Sequence, residues 1–283
     1  MRHPYFEVAT PTVIGHRGAA GEAPENTLLS FARALEAGAA ILESDVHLTR
    51  DAVPVLLHDD VIERTTDGRG RVVDLTLREL QALDAGHHFS PDGGRTYPFR
   101  GRGVRVPTLS QALAAFPAAR FNLELKHGGA ELVERVLDVI EQAGSATRSL
   151  LTAGDDALMT QLRQAVARTG APVALGASVG EVADFLRCAI ARKPPTPGPM
   201  ALQVPPDFAG RPLVTREFVD HAHAHGLVVH VWTIDEPGEM RALLALGVDG
   251  IVSDFPARLA QVIREQRLDE TRSPAARSAH RLP

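Results

Sequence analysis

The chain has 283 residues, 44% of them hydrophobic, and sets 30 Lys and Arg against 35 Asp and Glu for a formal charge of −5. Such a length buries a sizeable core and lies close to the roughly 250 residues of a (β/α)8 barrel. The acidic balance, with no basic run, excludes nucleic acid or an anionic membrane as the main partner; the single cysteine, Cys188, excludes an internal disulfide and suits a reducing compartment.

In chain order, residues 1–12 lack the apolar stretch of a signal peptide, and no segment approaches the length of a membrane span. The expectation is a cytoplasmic protein without stable membrane insertion. Short β-branched runs then alternate with longer amphipathic ones, the pattern of βα units around a parallel sheet. Strands are predicted over 12–16, 41–46, 120–126, 149–152, 173–177, 201–204, 228–233 and 250–254. Eight strands with helices between them imply a TIM barrel. Asn26 is the predicted N-cap of the first helix, ahead of the apolar spacing Leu28, Phe31, Ala32, Leu35 and a stop at Gly38. Further helices are expected over 131–142, 157–168, 184–190, 215–225, 238–246 and 257–265. Cys188 falls in one of them, where a buried small hydrophobe is the expected role. The proline-rich run 193–199 is a rigid loop.

One connection is too long for an ordinary loop. The segment 50–108, after the second strand, holds a strand-like run at 53–58, a turn-rich stretch at 65–70, and a short helix from Leu77 opened by a Thr76/Glu79 capping box. An insertion there emerges at the C-terminal face of a barrel, where active sites lie, so we read it as a cap within one domain spanning 1–267. Residues 268–283, charged and without periodicity, are read as a tail.

The predicted strand ends carry the chemistry. The first ends in His16-Arg17-Gly18, the second presents Glu43 and Asp45, the third Glu124 and Lys126, and the seventh Trp232. Residues two apart on a strand share a face. If that face is the barrel interior, three carboxylates meet at one mouth and repel one another. A hard divalent cation would relieve this, and an all-oxygen set selects Mg²⁺, Ca²⁺ or Mn²⁺. His16 ends a strand beside Arg17, and His58 ends the run that opens the cap. Two imidazoles can supply a base and an acid near neutral pH, while Arg17 and Lys126 neutralise phosphate oxygens. Among the other histidines, His230 is expected to be a hydrogen-bonded core residue, His47 and His127 to line the rim, and His87 and His88, within the insertion, are candidates to border a substrate. Trp232 suits the apolar face of a small polyol.

These motifs, in order, are His16-Arg17-Gly18, Pro24-Glu25-Asn26-Thr27, Glu43-Ser44-Asp45-Val46, His58-Asp59, Arg64-Thr65-Thr66-Asp67-Gly68, Pro107-Thr108-Leu109, Glu124-Leu125-Lys126, Val231-Trp232-Thr233 and Gly247-Val248-Asp249-Gly250-Ile251. Together they resemble the glycerophosphodiester phosphodiesterase family from about residue 12 to 261. The resemblance implies a divalent metal, Ca²⁺ or Mg²⁺, at Glu43, Asp45 and Glu124, with His16 and His58 as general base and general acid. It further implies phosphate contact at Arg17, with Lys126 at the same site. For Glu25, helix N-terminus stabilisation and metal contact both stay open. The implied reaction releases glycerol 3-phosphate and an alcohol from a small-molecule glycerophosphodiester. It would proceed through attack by the glycerol 2-hydroxyl and a cyclic phosphate, or through direct attack by water. A lysophospholipid substrate, or a non-catalytic barrel that binds phosphorylated polyols, are the competing readings; a monomer or a homodimer fits equally.

Overall fold

The structure, a computed structural model, describes residues 2–272, without the side chains of 269–272. Its elements, in chain order, are β1 (Thr12–Gly15), α1 (Leu28–Glu36), β2 (Ile41–Leu48), β3 (Pro54–Leu56), α2 (Leu77–Ala82) and α3 (Leu109–Ala115). Then follow β4 (Arg120–Leu125), α4 (Gly129–Gln142), β5 (Ser149–Thr152), α5 (Asp156–Thr169), β6 (Ala174–Leu175) and α6 (Val179–Ala191). The last are β7 (Ala201–Val204), β8 (Asp207–Phe208), β9 (Arg211–Pro212), α7 (Arg216–Ala224), β10 (Val228–Val231), α8 (Pro237–Ala245), β11 (Gly250–Ser253) and α9 (Pro256–Arg272).

Eight parallel strands, one for each predicted run, follow the order β6-β5-β4-β2-β1-β11-β10-β7. Among the described residues β6 and β7 share no strand pairing, but the Met200 N–H donates to Leu175 O at 2.8 Å across that seam. The result is a nearly closed barrel. The cap opens as expected: β3 turns back antiparallel on β2, with Val46 opposite Leu56. Its helix α2 starts with the Thr76/Glu79 capping box. Helix α9 continues through Arg272, past the predicted start of the tail, and residues 273–283 lie outside the described residues.

Strand alternation divides the core in two. One set of side chains faces outward beneath the helices, among them Leu42, Leu123, Leu151, Leu202 and Ile251. The other set faces inward: Ile14, Ile41, Leu150, Ala174, Ala201, Val228 and Val252. A 3-10 turn, Pro4–Phe6, plugs the lower end of the barrel with fully buried Tyr5 and nearly buried Phe6. Above this apolar floor the inward positions turn polar. Asn122, Gln203 and His230 each keep a buried polar atom without a hydrogen-bond partner.

His230 is buried as expected, but its Nδ1 lacks the expected hydrogen bond. Burial pushes its imidazole from 6.5 down to about 4. A depressed folded value means that the unfolded chain takes up the proton first, so stability is present above pH 6.5 and is lost as pH falls towards 4. The loss should reach about 3 kcal/mol by pH 4, at ~1.4 kcal/mol per pH unit. Urea midpoints measured between pH 7.5 and 4 should therefore fall more steeply for the wild type than for His230→Leu. Parallel curves would contradict this.

Candidate active site

The register sets the site. On β1, Gly15 pairs with Leu42 of β2 and with Ser253 of β11. The next residue, His16, therefore stands level with Glu43 on one side and Asp254 on the other. On β2 and β4, Asp45 pairs directly with Glu124, and Glu43 with Asn122. Glu43 and Asp45 share the inward face with Ile41, as the period of two requires.

His16 Nδ1 lies 2.6 Å from Asp254 Oδ1, and its Nε2 lies 4.0 Å from Glu43 Oε2. Burial lowers the basicity of His16, but the Asp254 hydrogen bond and the Glu43 charge outweigh it, so the net shift is upward. Asp254 is itself held: its N–H and the Ser253 hydroxyl both donate to Asp235 Oδ1, at 2.9 Å each. After His16 the chain turns through two left-handed residues, Arg17 (φ 50°) and Gly18 (φ 89°). At position 18 a Cβ would collide with the Ser30 hydroxyl and backbone, so the motif demands glycine. The turn aims the Arg17 N–H at Glu43 Oε2, 2.9 Å away.

Glu43 is nearly buried and accepts that single backbone bond; burial and the neighbouring Asp45 charge raise its carboxyl to about 7. Asp45 behaves oppositely. Burial would raise it, but Lys126 and then Arg17 hold it below the usual range. Lys126 Nζ lies 2.8 Å from Asp45 Oδ1 and 2.7 Å from Glu124 Oε2. Burial would lower Lys126, yet those two carboxylates raise it. The three predicted carboxylates thus open at one mouth, but the ammonium stands between two of them. Among the described residues no group of three or more acidic, histidine or cysteine side chains is arranged as a ready cation cage.

His58 leaves the barrel by way of the cap. Its backbone is pinned to β2, where Leu57 N–H donates to Asp45 O at 3.1 Å and His47 Nε2 lies 3.1 Å from His58 O. Its Nδ1 lies 2.7 Å from Asp59 Oδ1, and its charge bears on Asp45. His47 is thus a buried support for His58 rather than a rim residue; burial lowers its pKa. His87 and His88 pack edge to face, and His88 borders a cavity of about 220 Å³ that Glu25 and Arg64 also line. Trp232, 43% exposed at the end of β10, is not a core residue. Cys188 is half-buried on α6.

Two further expectations need correction. Thr27, not Asn26, caps α1, its side chain accepting from Ser30 N–H. Asn26 instead adopts a left-handed conformation (φ 55°), accepts from the Ser44 hydroxyl at 2.6 Å and donates to Asp45 Oδ2 at 3.0 Å. Glu25 holds no helix end: it pairs with Arg17 at 2.8 Å and with Arg64 at 2.6 Å. Burial would raise its pKa, but the two guanidinium groups bring it below the ordinary value. Asn26, Asp59, Arg64 and Asp254 are the site residues to which sequence reasoning assigned no chemical role. For the first three, the signal lay in the Pro24-Glu25-Asn26-Thr27, His58-Asp59 and Arg64-Thr65-Thr66 runs.

The family model of the glycerophosphoryl diester phosphodiesterases matches residues 16–258. A glycerophosphodiester phosphodiesterase of Caldanaerobacter subterraneus subsp. tengcongensis is 29% identical over 263 residues, covering 89% of this chain and 98% of its own. A Silicibacter pomeroyi protein, named provisionally for the same activity, has a crystal structure that superposes with a TM-score of 0.76 at 30% identity, covering 94% of this chain and 98% of its own. An Oleispira antarctica phosphodiesterase, solved with its product sn-glycerol-3-phosphate, superposes with a TM-score of 0.72 at 27% identity, covering 90% and 97%. The chain belongs to the glycerophosphoryl diester phosphodiesterase family, a class of phosphoric diester hydrolases.

Proposed function

We propose that this enzyme hydrolyses glycerophosphodiesters such as glycerophosphocholine or glycerophosphoethanolamine to glycerol 3-phosphate and the alcohol. In this reading His16 acts as general base and His58 as general acid, and one divalent cation, Ca²⁺, Mg²⁺ or Mn²⁺, is the cofactor. The observation that carries it is the pair of histidines at one mouth. Each commits Nδ1 to a carboxylate, Asp254 or Asp59, which leaves Nε2 for proton transfer. A carboxylate behind an imidazole fixes its tautomer and stabilises its protonated form.

The donor set suits a hard cation. Glu43, Asp45 and Glu124 offer oxygen alone, and burial with the Asp45 charge raises Glu43 despite His16 and Arg17 beside it. Those three carboxylates would hold the cation, which when bound would draw charge from the phosphate and acidify a hydroxyl nucleophile. Arg17 and Lys126 bind phosphate oxygens and offset the negative charge that grows in the transition state. His16 takes the proton of the attacking hydroxyl as the new P–O bond forms. His58 gives a proton to the departing alcohol oxygen as the old P–O bond breaks. The attacking group is water, or the glycerol 2-hydroxyl followed by water; trapping a cyclic glycerol phosphate would identify the second route. Trp232 would cover the carbon face of glycerol, so Trp232→Ala should raise KM several-fold more than it lowers kcat. An unchanged KM would count against that role.

The cap favours a small head group over an acyl chain. Phe89 and Phe99 pack on each other at 5.3 Å, Arg33 stacks on Phe99 at 5.1 Å and Arg100 on Tyr97 at 3.7 Å. These rings are engaged with one another and with arginines, and of the three only Phe89 lines the cavity of about 220 Å³. Among the described residues no helix is long and apolar enough to cross a membrane. The direct test is incubation with glycerophosphocholine, with identification of choline and glycerol 3-phosphate, before and after EDTA. Release that EDTA stops and added cation restores supports the reading; no release with any of the three cations overturns it.

A further inference from the structure

His58 poses a positioning problem that His16 does not. His16 continues a barrel strand and inherits its place from the register of β1 with β2 and β11. His58 follows β3 in the cap, a segment that pairs with the barrel along one strand only. A general acid must stand within hydrogen-bond reach of the leaving oxygen, and small misplacement costs rate steeply. Something must fix the cap-borne imidazole relative to the phosphate-binding groups on the barrel.

The ion pairs form an unbroken path that does this. Asp59 holds His58 Nδ1 through Oδ1 at 2.7 Å and receives Arg64 Nε at Oδ2, at 2.5 Å. The same guanidinium then meets Glu25 with both remaining nitrogens, Nη1 to Oε2 at 2.6 Å and Nη2 to Oε1 at 2.7 Å. Glu25 Oε1 in turn accepts from Arg17 Nη1 at 2.8 Å. All three nitrogens of Arg64 are used, one edge for Asp59 and the fork for Glu25. That planar arrangement belongs to arginine; a lysine ammonium is a single point and cannot hold both carboxylates in the same way.

Stability does not account for the arrangement. The Arg64 side chain is 47% exposed, and ion pairs that open are worth roughly 0–1 kcal/mol each. What the network secures is distance and orientation, between an acid on the cap and a phosphate ligand on the barrel.

We propose that Arg64 is the positioning residue that holds His58 in line with Arg17, by clamping Asp59 and Glu25 at once. The inference rests on His58 being the general acid, and it goes further by assigning the acid's alignment to a residue that does not touch it.

The test exploits leaving-group chemistry. Choline is a poor leaving group and needs the proton from His58, whereas p-nitrophenolate departs with little help. Wild type, Arg64→Ala, Arg64→Lys and His58→Ala are compared on glycerophosphocholine and on glycerol p-nitrophenyl phosphate, with Tm recorded for each. Arg64→Ala should lower kcat on glycerophosphocholine about 10–100-fold, as loss of an outer support does elsewhere, and by less than ~3-fold on the aryl ester. Arg64→Lys, which keeps the charge and the fold, should recover only part of that loss. Tm should move by no more than about 4 °C for either variant. An equal loss on both substrates, or undiminished kcat on glycerophosphocholine, overturns the assignment. His58→Ala separates this from a failure of the underlying reading: if it does not spare the aryl ester, His58 is not the acid, and the role of Arg64 falls with it.

Discussion

His16→Ala should lower kcat on glycerophosphocholine by roughly 10²–10⁴-fold, the range that a general base contributes, while the folded chain persists. The geometry supports both halves. The imidazole stands between Asp254 at 2.6 Å and Glu43 at 4.0 Å, in the layer where the barrel interior has turned from apolar to polar. Removing it leaves Arg17, Lys126 and the carboxylates in place, so phosphate binding should survive and KM should change far less than kcat. The barrel beneath does not depend on His16, because its floor is built by Ile14, Ile41, Tyr5 and their neighbours. A variant within threefold of the wild type would remove His16 from the mechanism.

Asp254→Asn should cost roughly 10–10³-fold in kcat, less than the loss of His16 itself. An amide at this position can still hydrogen-bond the ring, but it brings no charge to stabilise an imidazolium and can offer its N–H where the ring needs an acceptor. Asp254 and Glu43 are also the groups that raise the His16 pKa against its burial. The substitution should therefore move the limb of the kcat/KM profile that reports the base to lower pH. A smaller rate loss with an unmoved limb would show that Asp254 only packs there. The main-chain place of residue 254 should hold in the variant, since its N–H donates to Asp235 and not through its own side chain.

Much of this was legible in the chain. The alternation of β-branched and amphipathic runs gave eight strands that all appear, because each βα unit must bury one apolar stripe against the next. The strand-end residues were legible for the same reason: a period of two assigns Glu43 and Asp45 to one face with no knowledge of the partner strand. Register was not legible. Asp45 pairs with Glu124 through the β2–β4 register, and His16 sits level with Asp254 because barrel closure joins β1 to β11 across most of the sequence. Asp254 therefore read as an ordinary strand-end residue. Short elements escaped as well. The Pro4–Phe6 turn and the β8–β9 hairpin are too brief to show a period, although the first supplies the plug of the barrel.

Asn26 and Glu25 show a subtler limit. Asn is a good N-cap and Glu is favourable near a helix start, so local rules assign both to α1. Thr27 caps α1 instead, and the two residues before it are drawn into the site, Asn26 by Ser44 and Asp45, Glu25 by Arg17 and Arg64. Tertiary charge outweighed local preference. Lys126 was legible as a cation at the mouth, because it shares a face with Glu124, but its ion pair with Asp45 on the neighbouring strand was not.

Calorimetric titration of Ca²⁺, Mg²⁺ and Mn²⁺ into the wild type and into Glu43→Gln, Asp45→Asn and Glu124→Gln addresses the shared-ion site most directly. The wild type should bind one ion per chain, with a rise in Tm from about 2.7 kcal/mol of added stability at a hundredfold excess over Kd, and each variant should bind at least roughly tenfold more weakly. Wild-type affinity in all three variants, or neither heat nor a Tm shift with any of the cations, would contradict the idea that these carboxylates hold a common ion.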